Sequence, residues 1–96
     1  MNNCMKIHVD GKNKGYIMLY TLSTCGWCNK TKQLLKDLGT AYDFIDVDLL
    51  EGKEREKIEA EIKKWNSHIS FPTIVINNDR CIIGFDEERI KWEIGK

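Results

Sequence analysis

Two cysteines, Cys25 and Cys28, are separated by Gly26 and Trp27 in a C-x-x-C pattern, which is used for thiol–disulfide exchange and for zinc binding. The pair stands where an apolar, strand-like run gives way to a helical pattern. We therefore expect Cys25 at the helix N-terminus, where unpaired amides and the helix dipole favour an anion such as a thiolate. Cys28 lies one turn further into the helix, within reach of the first sulfur and less exposed.

Thiol–disulfide exchange requires this asymmetry between the two sulfurs. The exposed Cys25 thiolate attacks a substrate disulfide and forms a mixed disulfide, and Cys28 then attacks the Cys25 sulfur and releases the reduced product. A structural zinc site would need a second pair of ligands. The remaining cysteines and histidines are scattered singly along the chain: Cys4, His8, His68 and Cys81. The pattern therefore favours a redox pair over half of a zinc site.

Length and charge narrow the class of protein. The 96 residues are enough for one domain, and 15 basic residues balance 15 acidic ones. A formal net charge of zero argues against a nucleic-acid partner and gives no support to a membrane-surface role. The sequence shows neither the pattern of a signal peptide nor an apolar run long enough to span a membrane. We expect a cytoplasmic protein, whose cysteines stay reduced unless they do chemistry.

The predicted elements place the cysteine pair at a strand-to-helix junction. Residues 16–22 form a nearly continuous apolar run, which is typical of a strand buried on both faces. The order β-α-β-α-β-β-α predicts an α/β fold with a four-stranded mixed sheet flanked by three helices. Residues 1–15 are interpreted as an N-terminal extension, with room for one short strand at Ile7 and Val9, before a domain over 16–96. The predicted strands cover 16–22, 42–47, 74–76 and 81–83, and the helices cover 26–38, 51–66 and 86–94.

Three further residues have both a structural and a functional interpretation. Pro72 immediately precedes a predicted buried strand, where a trans bond is the default and a cis bond would present a backbone edge to a substrate chain. Gly84 is either a turn glycine or a point of close approach by a ligand. Asp86 is either an N-cap alone or part of a carboxylate-binding helix N-terminus.

Taken together, the motifs resemble the glutaredoxin family of the thioredoxin superfamily, over about four-fifths of the chain from Tyr16 to Ile94. The resemblance rests on Ser23-Thr24-Cys25-Gly26-Trp27-Cys28, on Phe71-Pro72-Thr73 and on Ile83-Gly84-Phe85-Asp86. It implies a thioredoxin-like fold with strand order 2-1-3-4, the last two strands running antiparallel to the first two. It also implies that Cys25 is the nucleophile, that Cys28 is the resolving thiol and that the Pro72 bond is cis. The implied substrate-binding residues are Gly26, Trp27, Phe71, Pro72, Thr73, Gly84, Phe85 and Asp86.

The departures from the family pattern concern the electron donor. Leu22 stands where glutathione-using members commonly have a lysine, and Phe85 follows Gly84 where they commonly have a second glycine. Both changes weaken the case for a tight glutathione carboxylate site. The Gly84-Phe85 step is more similar to small redoxins that serve ribonucleotide reductase and are reduced by thioredoxin reductase. Glutathione, a flavoprotein reductase and another small thiol are all left open as donors.

The sequence thus predicts an enzyme, a thiol–disulfide oxidoreductase that acts on disulfide-containing proteins or mixed disulfides. It is expected to need no cofactor or metal and to bind neither nucleic acid nor membrane. The alternative is an iron–sulfur cluster or metal-binding carrier that uses Cys25, because some glutaredoxins with a small residue at the position of Gly26 hold a cluster between two subunits. A third hypothesis is a partner domain whose disulfide does not turn over.

Overall fold

The fold is built on a mixed five-stranded sheet, seen in a computed structural model that describes residues 6–95. The strands are β1 (Ile7–Val9), β2 (Ile17–Thr21), β3 (Tyr42–Asp46), β4 (Thr73–Ile76) and β5 (Arg80–Ile83). The helices are α1 (Gly26–Asp37), α2 (Gly52–Lys63) and α3 (Glu87–Ile94), and one 3₁₀ turn spans Val47–Leu49. Within the described residues, no helix is of the length and apolarity that crossing a membrane requires.

The strand order is β1-β3-β2-β4-β5, with β2 and β3 parallel and the other neighbours antiparallel. The last four strands therefore follow the predicted order 2-1-3-4, and β4 and β5 form the predicted hairpin. The expected strand directions are wrong for β5: only β4 runs antiparallel to β2, because the hairpin reverses the chain again and leaves β5 parallel to β2. Asn77 and Asn78 turn this hairpin with φ angles of 53° and 59°, a left-handed conformation that asparagine tolerates better than most residues.

The predicted number of four strands is wrong, because β1 adds a fifth. This strand pairs antiparallel with β3, with Ile7 opposite Phe44. The next segment is tied to the same edge, since Lys12 N–H donates to the Gly39 carbonyl at 2.8 Å and Ala41 N–H donates to the Lys12 carbonyl at 2.9 Å. An unpaired β3 edge offers backbone groups that a three-residue strand can satisfy. The domain boundary after residue 15 stays a prediction.

The centre of the sheet is β2, and all five of its residues are buried, as the apolar run predicts. Ile17 and Leu19 pack in one cluster with residues of α1 and α3, while Met18 and Tyr20 pack in a second cluster with Ile62 of α2. Because side chains alternate along a strand, these two clusters lie on opposite faces. Helices on both faces hold β2 in place, and the end of β2 leads directly to Cys25.

Helix ends follow the predicted signals at two of the three helices. Gly39 lies just beyond α1 with a φ of 72°, and the Asp86 carboxylate caps α3 by accepting a hydrogen bond from Arg89 N–H at 3.1 Å. Helix α2 is shorter than its prediction, since it ends at Lys63 rather than at residue 66. The backbone turns there, with Asn66 N–H donating to the Ile62 carbonyl at 2.8 Å.

The edge strand β1 carries a cluster of exposed charges around His8. Its Nδ1 lies 2.7 Å from Asp43 Oδ1 on β3, and its Nε2 lies 3.0 Å from Asp10 Oδ1. Lys6 Nζ also approaches the Asp43 carboxylate, at 3.9 Å. The hydrogen bond with Asp43 is the main reason that the pKa of His8 is raised above its ordinary value.

We expect the attachment of β1 to weaken as the pH rises. A raised folded-state pKa means that the contribution of protonated His8 is fully present below the ordinary value of 6.5 and is lost as the pH passes through the raised value. Amide hydrogen exchange of β1, corrected for the intrinsic exchange rate, should therefore show less protection at about pH 8 than at about pH 6. His8→Gln should remove this dependence, and His68→Gln should keep it. Equal protection of β1 at both pH values in the parent protein would contradict the assignment.

Candidate active site

Cys25 occupies the N-cap of α1, in an extended backbone conformation with φ −86° and ψ 115°. Its Sγ accepts a hydrogen bond from the Cys28 backbone N–H at 3.2 Å, and its own N–H donates to the Leu22 carbonyl at 3.1 Å. The Cys25 side chain is partly exposed. A sulfur in this position meets an amide donor and the positive end of the helix dipole, as the sequence pattern predicted.

Cys28 has a very different environment, because it is fully buried in the first turn of α1. Burial, with a smaller contribution from the hydrogen bond to Cys25, raises the pKa of the Cys28 thiol to about 12. At neutral pH this sulfur is therefore a protonated thiol. The structure thus separates the two sulfurs into one that solvent reaches and one that it does not.

The loop between β2 and α1 is fastened by Asp48, which lies in the 3₁₀ turn after β3. Ser23 N–H donates to Asp48 Oδ1 at 2.8 Å and Ser23 Oγ donates to Oδ2 at 2.6 Å. The side-chain hydrogen bond from Ser23 is the largest cause of a lowered pKa at Asp48. Asp48 was not among the residues predicted from the sequence. The available signal was an acidic residue just past a strand parallel to β2, since the carboxyl ends of parallel strands meet at one edge.

The Phe71–Pro72 peptide bond is cis, as the resemblance implied. Pro72 directly precedes β4, and the register pairs Thr73 with Tyr20 of β2 and with Ile83 of β5. The start of β4 and the ends of β2 and β5 therefore meet at one end of the sheet. The Pro72 carbonyl accepts a hydrogen bond from Gly84 N–H at 2.8 Å, which joins the second and third motifs directly.

A buried amide also supports this end of the sheet. Asn66 Nδ2 donates to Ser70 Oγ at 2.8 Å and to Thr73 Oγ1 at 3.2 Å. Thr73 is itself fully buried, and its Oγ1 donates to the Ser70 carbonyl at 2.8 Å. These bonds fix the segment that leads to Pro72. The role of Asn66 was not predicted, because the turn after α2 is what brings Ser70 and Thr73 within reach of its side chain.

Trp27 and Phe85 stack on each other, with ring centroids 5.6 Å apart and an interplanar angle of 27°. The Trp27 side chain is 57% exposed, and Lys30 Nζ lies 4.7 Å from its ring centroid. The structure places Trp27 outside the core, in an aromatic surface that connects the start of α1 with the segment before α3.

The other predicted substrate-binding residues border open space or make contacts within the fold. A Cβ added to Gly26 or to Gly84 would meet no atom within 4 Å, although Gly84 has a φ of 82° that disfavours side chains. Phe71 packs against the cluster on the α2 face. The Asp86 carboxylate is occupied by its helix cap.

The remaining cysteines and histidines do not form a metal site in the described part of the chain. Between residues 6 and 95, no group of three or more His, Cys, Asp or Glu side chains is placed to hold a metal ion. Cys81 packs against the α2-face cluster, with its Sγ 3.5 Å from the Trp65 carbonyl. Cys4 lies outside the described residues.

Residues 17–82 match the family model described as Glutaredoxin. The chain belongs to the glutaredoxin family. Members of this family are thiol–disulfide oxidoreductases, and the cysteine pair of this chain has the arrangement that such chemistry requires.

Individual relatives agree with this family assignment. The chain is 36% identical over 81 residues to an uncharacterized glutaredoxin-like 8.6 kDa protein in the rubredoxin operon of Clostridium pasteurianum, covering 83% of this chain and 99% of that protein. It is similar to the crystal structure of a glutaredoxin from Methanosarcina mazei, with 45% identity, a TM-score of 0.89 and coverage of 97% and 90% of the two chains. A more distant similarity is to a buckwheat glutaredoxin–glutathione complex, with 26% identity, a TM-score of 0.65 and coverage of 88% and 74%. These structures confirm the thioredoxin-like fold.

The two sulfurs should differ sharply toward an alkylating reagent. We expect iodoacetamide at pH 7 to modify Cys25 at least about tenfold faster than Cys28, because Cys28 is buried and its thiol pKa is raised. Tandem mass spectrometry of the 15–30 tryptic peptide distinguishes the two sites, and Cys81 serves as an internal reference. Equal modification of Cys25 and Cys28 in folded protein would contradict the described asymmetry.

Proposed function

We propose that this protein reduces protein disulfides or mixed disulfides, with Cys25 as the nucleophile and Cys28 as the resolving thiol. The observation that carries the proposal is the contrast between the sulfurs. Cys25 Sγ is partly exposed at the start of α1 and accepts the Cys28 amide at 3.2 Å, while Cys28 is fully buried. Among the hypotheses raised by the sequence, only a two-step exchange requires one exposed and one enclosed sulfur.

In the first step, the Cys25 thiolate attacks one sulfur of the substrate disulfide. A new S–S bond forms to Cys25, the substrate S–S bond breaks, and the leaving thiolate takes up a proton. The Cys28 amide and the α1 dipole stabilise the attacking anion before it reacts. The leaving thiolate departs to solvent on the exposed side of Cys25.

In the second step, Cys28 loses its proton and attacks Cys25 Sγ. The intramolecular disulfide forms, the mixed disulfide breaks, and the second substrate thiol is released, so the substrate has gained two electrons. Two electrons from an external thiol or a reductase then return the pair to its dithiol form. The short helical spacing of the two cysteines is what makes this ring closure possible.

Two surfaces beside Cys25 are suited to the substrate. The backbone before Pro72 lies at the end of the sheet that Cys25 shares, and it offers an edge to an extended chain. The Trp27–Phe85 stack, in which the Trp27 ring is exposed and Phe85 packs on the core, offers apolar contact at the start of α1. Both features suit a polypeptide substrate, and we place disulfide-containing proteins first among the partners.

The electron donor is a small thiol or a flavoprotein reductase, and glutathione is the first candidate to test. The buckwheat complex supports glutathione, since that relative was crystallised with it. Leu22 is half-buried against the α2-face cluster and supplies no cation, and Phe85 fills the position after Gly84 with a ring. We assign these reactions to the cytoplasm, where thiol donors keep cysteines reduced.

Steady-state reduction of a small disulfide tests the reaction and the role of Cys25 as nucleophile. With dithiothreitol as donor, we expect the parent protein to turn over and Cys25→Ser to fall to the uncatalysed rate, because no other described sulfur lies at a helix N-terminus. Cys81→Ser is the matched control and should keep about the parent rate. Full activity in Cys25→Ser would refute the proposal.

The donor is tested by replacing dithiothreitol with glutathione, recycled by glutathione reductase. We expect slow turnover that improves at least about threefold in Leu22→Lys, because the added ammonium can attract a carboxylate of glutathione. Glu51→Lys, on the exposed start of α2, makes a charge change elsewhere and should leave the rate unaltered. Rapid parent turnover that is unaffected by Leu22→Lys would contradict the idea that the missing cation limits glutathione use.

A further inference from the structure

Lys32 of α1 is held against the sheet by two contacts, although lysine side chains usually extend into solvent. Its Nζ lies 3.4 Å from Asp46 Oδ1 at the end of β3 and 4.0 Å from the centroid of the Phe44 ring. Only 20% of its side chain is exposed. Asp46 is fixed in turn, because its Oδ1 accepts a hydrogen bond from the fully buried Thr21 hydroxyl. The ammonium group therefore has a defined position.

That position is on the same helical face as Cys28, since the two residues are four apart in α1. The positive charge of Lys32 acts to lower the pKa of the Cys28 thiol, against the larger opposing effect of burial. The other groups that act on Cys28 are Cys25, which raises its pKa, and the hydrogen-bonded Leu22 backbone, which lowers it. Lys32 is thus the charged side chain that favours the Cys28 thiolate.

We propose that Lys32 assists the resolving step by stabilising the Cys28 thiolate, and that Asp46 is the positioning residue that keeps the ammonium group near α1. The inference rests on the proposed function, because it assigns a role within the second exchange step. In that step the Cys28 S–H bond gives its proton to solvent and the resulting anion attacks Cys25 Sγ. The Cys28–Cys25 bond forms, the mixed disulfide breaks, and the substrate sulfur leaves as a thiolate.

The Cys28 thiolate needs to be stabilised only in the second step, when it attacks Cys25 Sγ. A buried thiol whose pKa is about 12 is a thiolate in a very small fraction of molecules at neutral pH. Before the first step, the partly exposed Cys25 carries the reactive sulfur, and protonated Cys28 cannot compete with it. After the mixed disulfide forms, the charge on Cys25 is gone and Lys32 becomes the nearby charge that can favour ionisation of Cys28. The cation therefore promotes resolution without altering the choice of nucleophile.

Both steps are visible in one stopped-flow trace with limiting 5,5′-dithiobis(2-nitrobenzoate). Attack by Cys25 releases one thionitrobenzoate in a phase that depends on protein concentration, and attack by Cys28 releases a second in a phase that does not. Cys28→Ser identifies the second phase by removing it. We expect Lys32→Gln, which keeps a polar group for Asp46 but removes the charge, to slow the second phase about three- to tenfold at pH 7. Its pH profile should shift upward, and the first phase should stay within about twofold.

Two variants separate charge from structure. Lys32→Arg should restore the parent pH profile, and Lys36→Gln, on an exposed position one turn further along α1, should leave it unchanged. A parent trace without a second phase would defeat the proposed function itself. A second phase that is unaltered in Lys32→Gln, or equally slowed in Lys32→Arg, would overturn the role of Lys32 and leave the two-step reaction standing. A variant that loses the first phase as well would also overturn it, because the stated effect is confined to resolution.

Discussion

The hydrogen bond from the Cys28 amide to the Cys25 sulfur is the interaction that the rest of the fold must make possible at the candidate active site. It can form only if Cys25 stands just before the first turn of α1 and Cys28 stands inside it. The rest of the fold meets that requirement. The buried strand β2 fixes where the chain emerges from the sheet, and Asp48 holds Ser23 through both its amide and its hydroxyl. The helix then begins at the residue after Cys25.

The same local geometry makes two identical side chains chemically different. One sulfur faces an amide and partial solvent, while the other is enclosed and has a raised thiol pKa. In the proposed reaction this difference sets the order of events, with the exposed sulfur reacting first and the enclosed sulfur attacking it afterwards. The Pro72 segment and the Trp27–Phe85 stack stand at the end of the sheet where α1 begins, so both are placed to contact a substrate of the proposed reaction.

The sequence predicted the parts of the fold that local patterns encode. A continuous apolar run predicted β2, glycine and aspartate signals predicted the ends of α1 and α3, and the family resemblance supplied the cis bond at Pro72. The sequence indicated only that a short strand could form at β1, because three largely exposed residues show too little alternation of apolar and polar side chains to predict one. Asp48 and Asn66 were missed for another reason. Their partners lie elsewhere in the sequence or across a turn, so their roles exist only once the sheet has assembled.

In the proposed reaction, Cys25 carries the substrate and Cys28 releases it. The most direct measurement is the location of the bound substrate when release is blocked. Cys28→Ser would be mixed with a disulfide-linked peptide dimer, quenched with acid and analysed by mass spectrometry of tryptic peptides, since Cys25 and Cys81 fall in different fragments. We expect Cys28→Ser to carry a stable peptide adduct on Cys25. We expect the parent protein to contain an internal Cys25–Cys28 disulfide and no adduct. An adduct on Cys81 or Cys4 with Cys25 unmodified would contradict the proposed reaction.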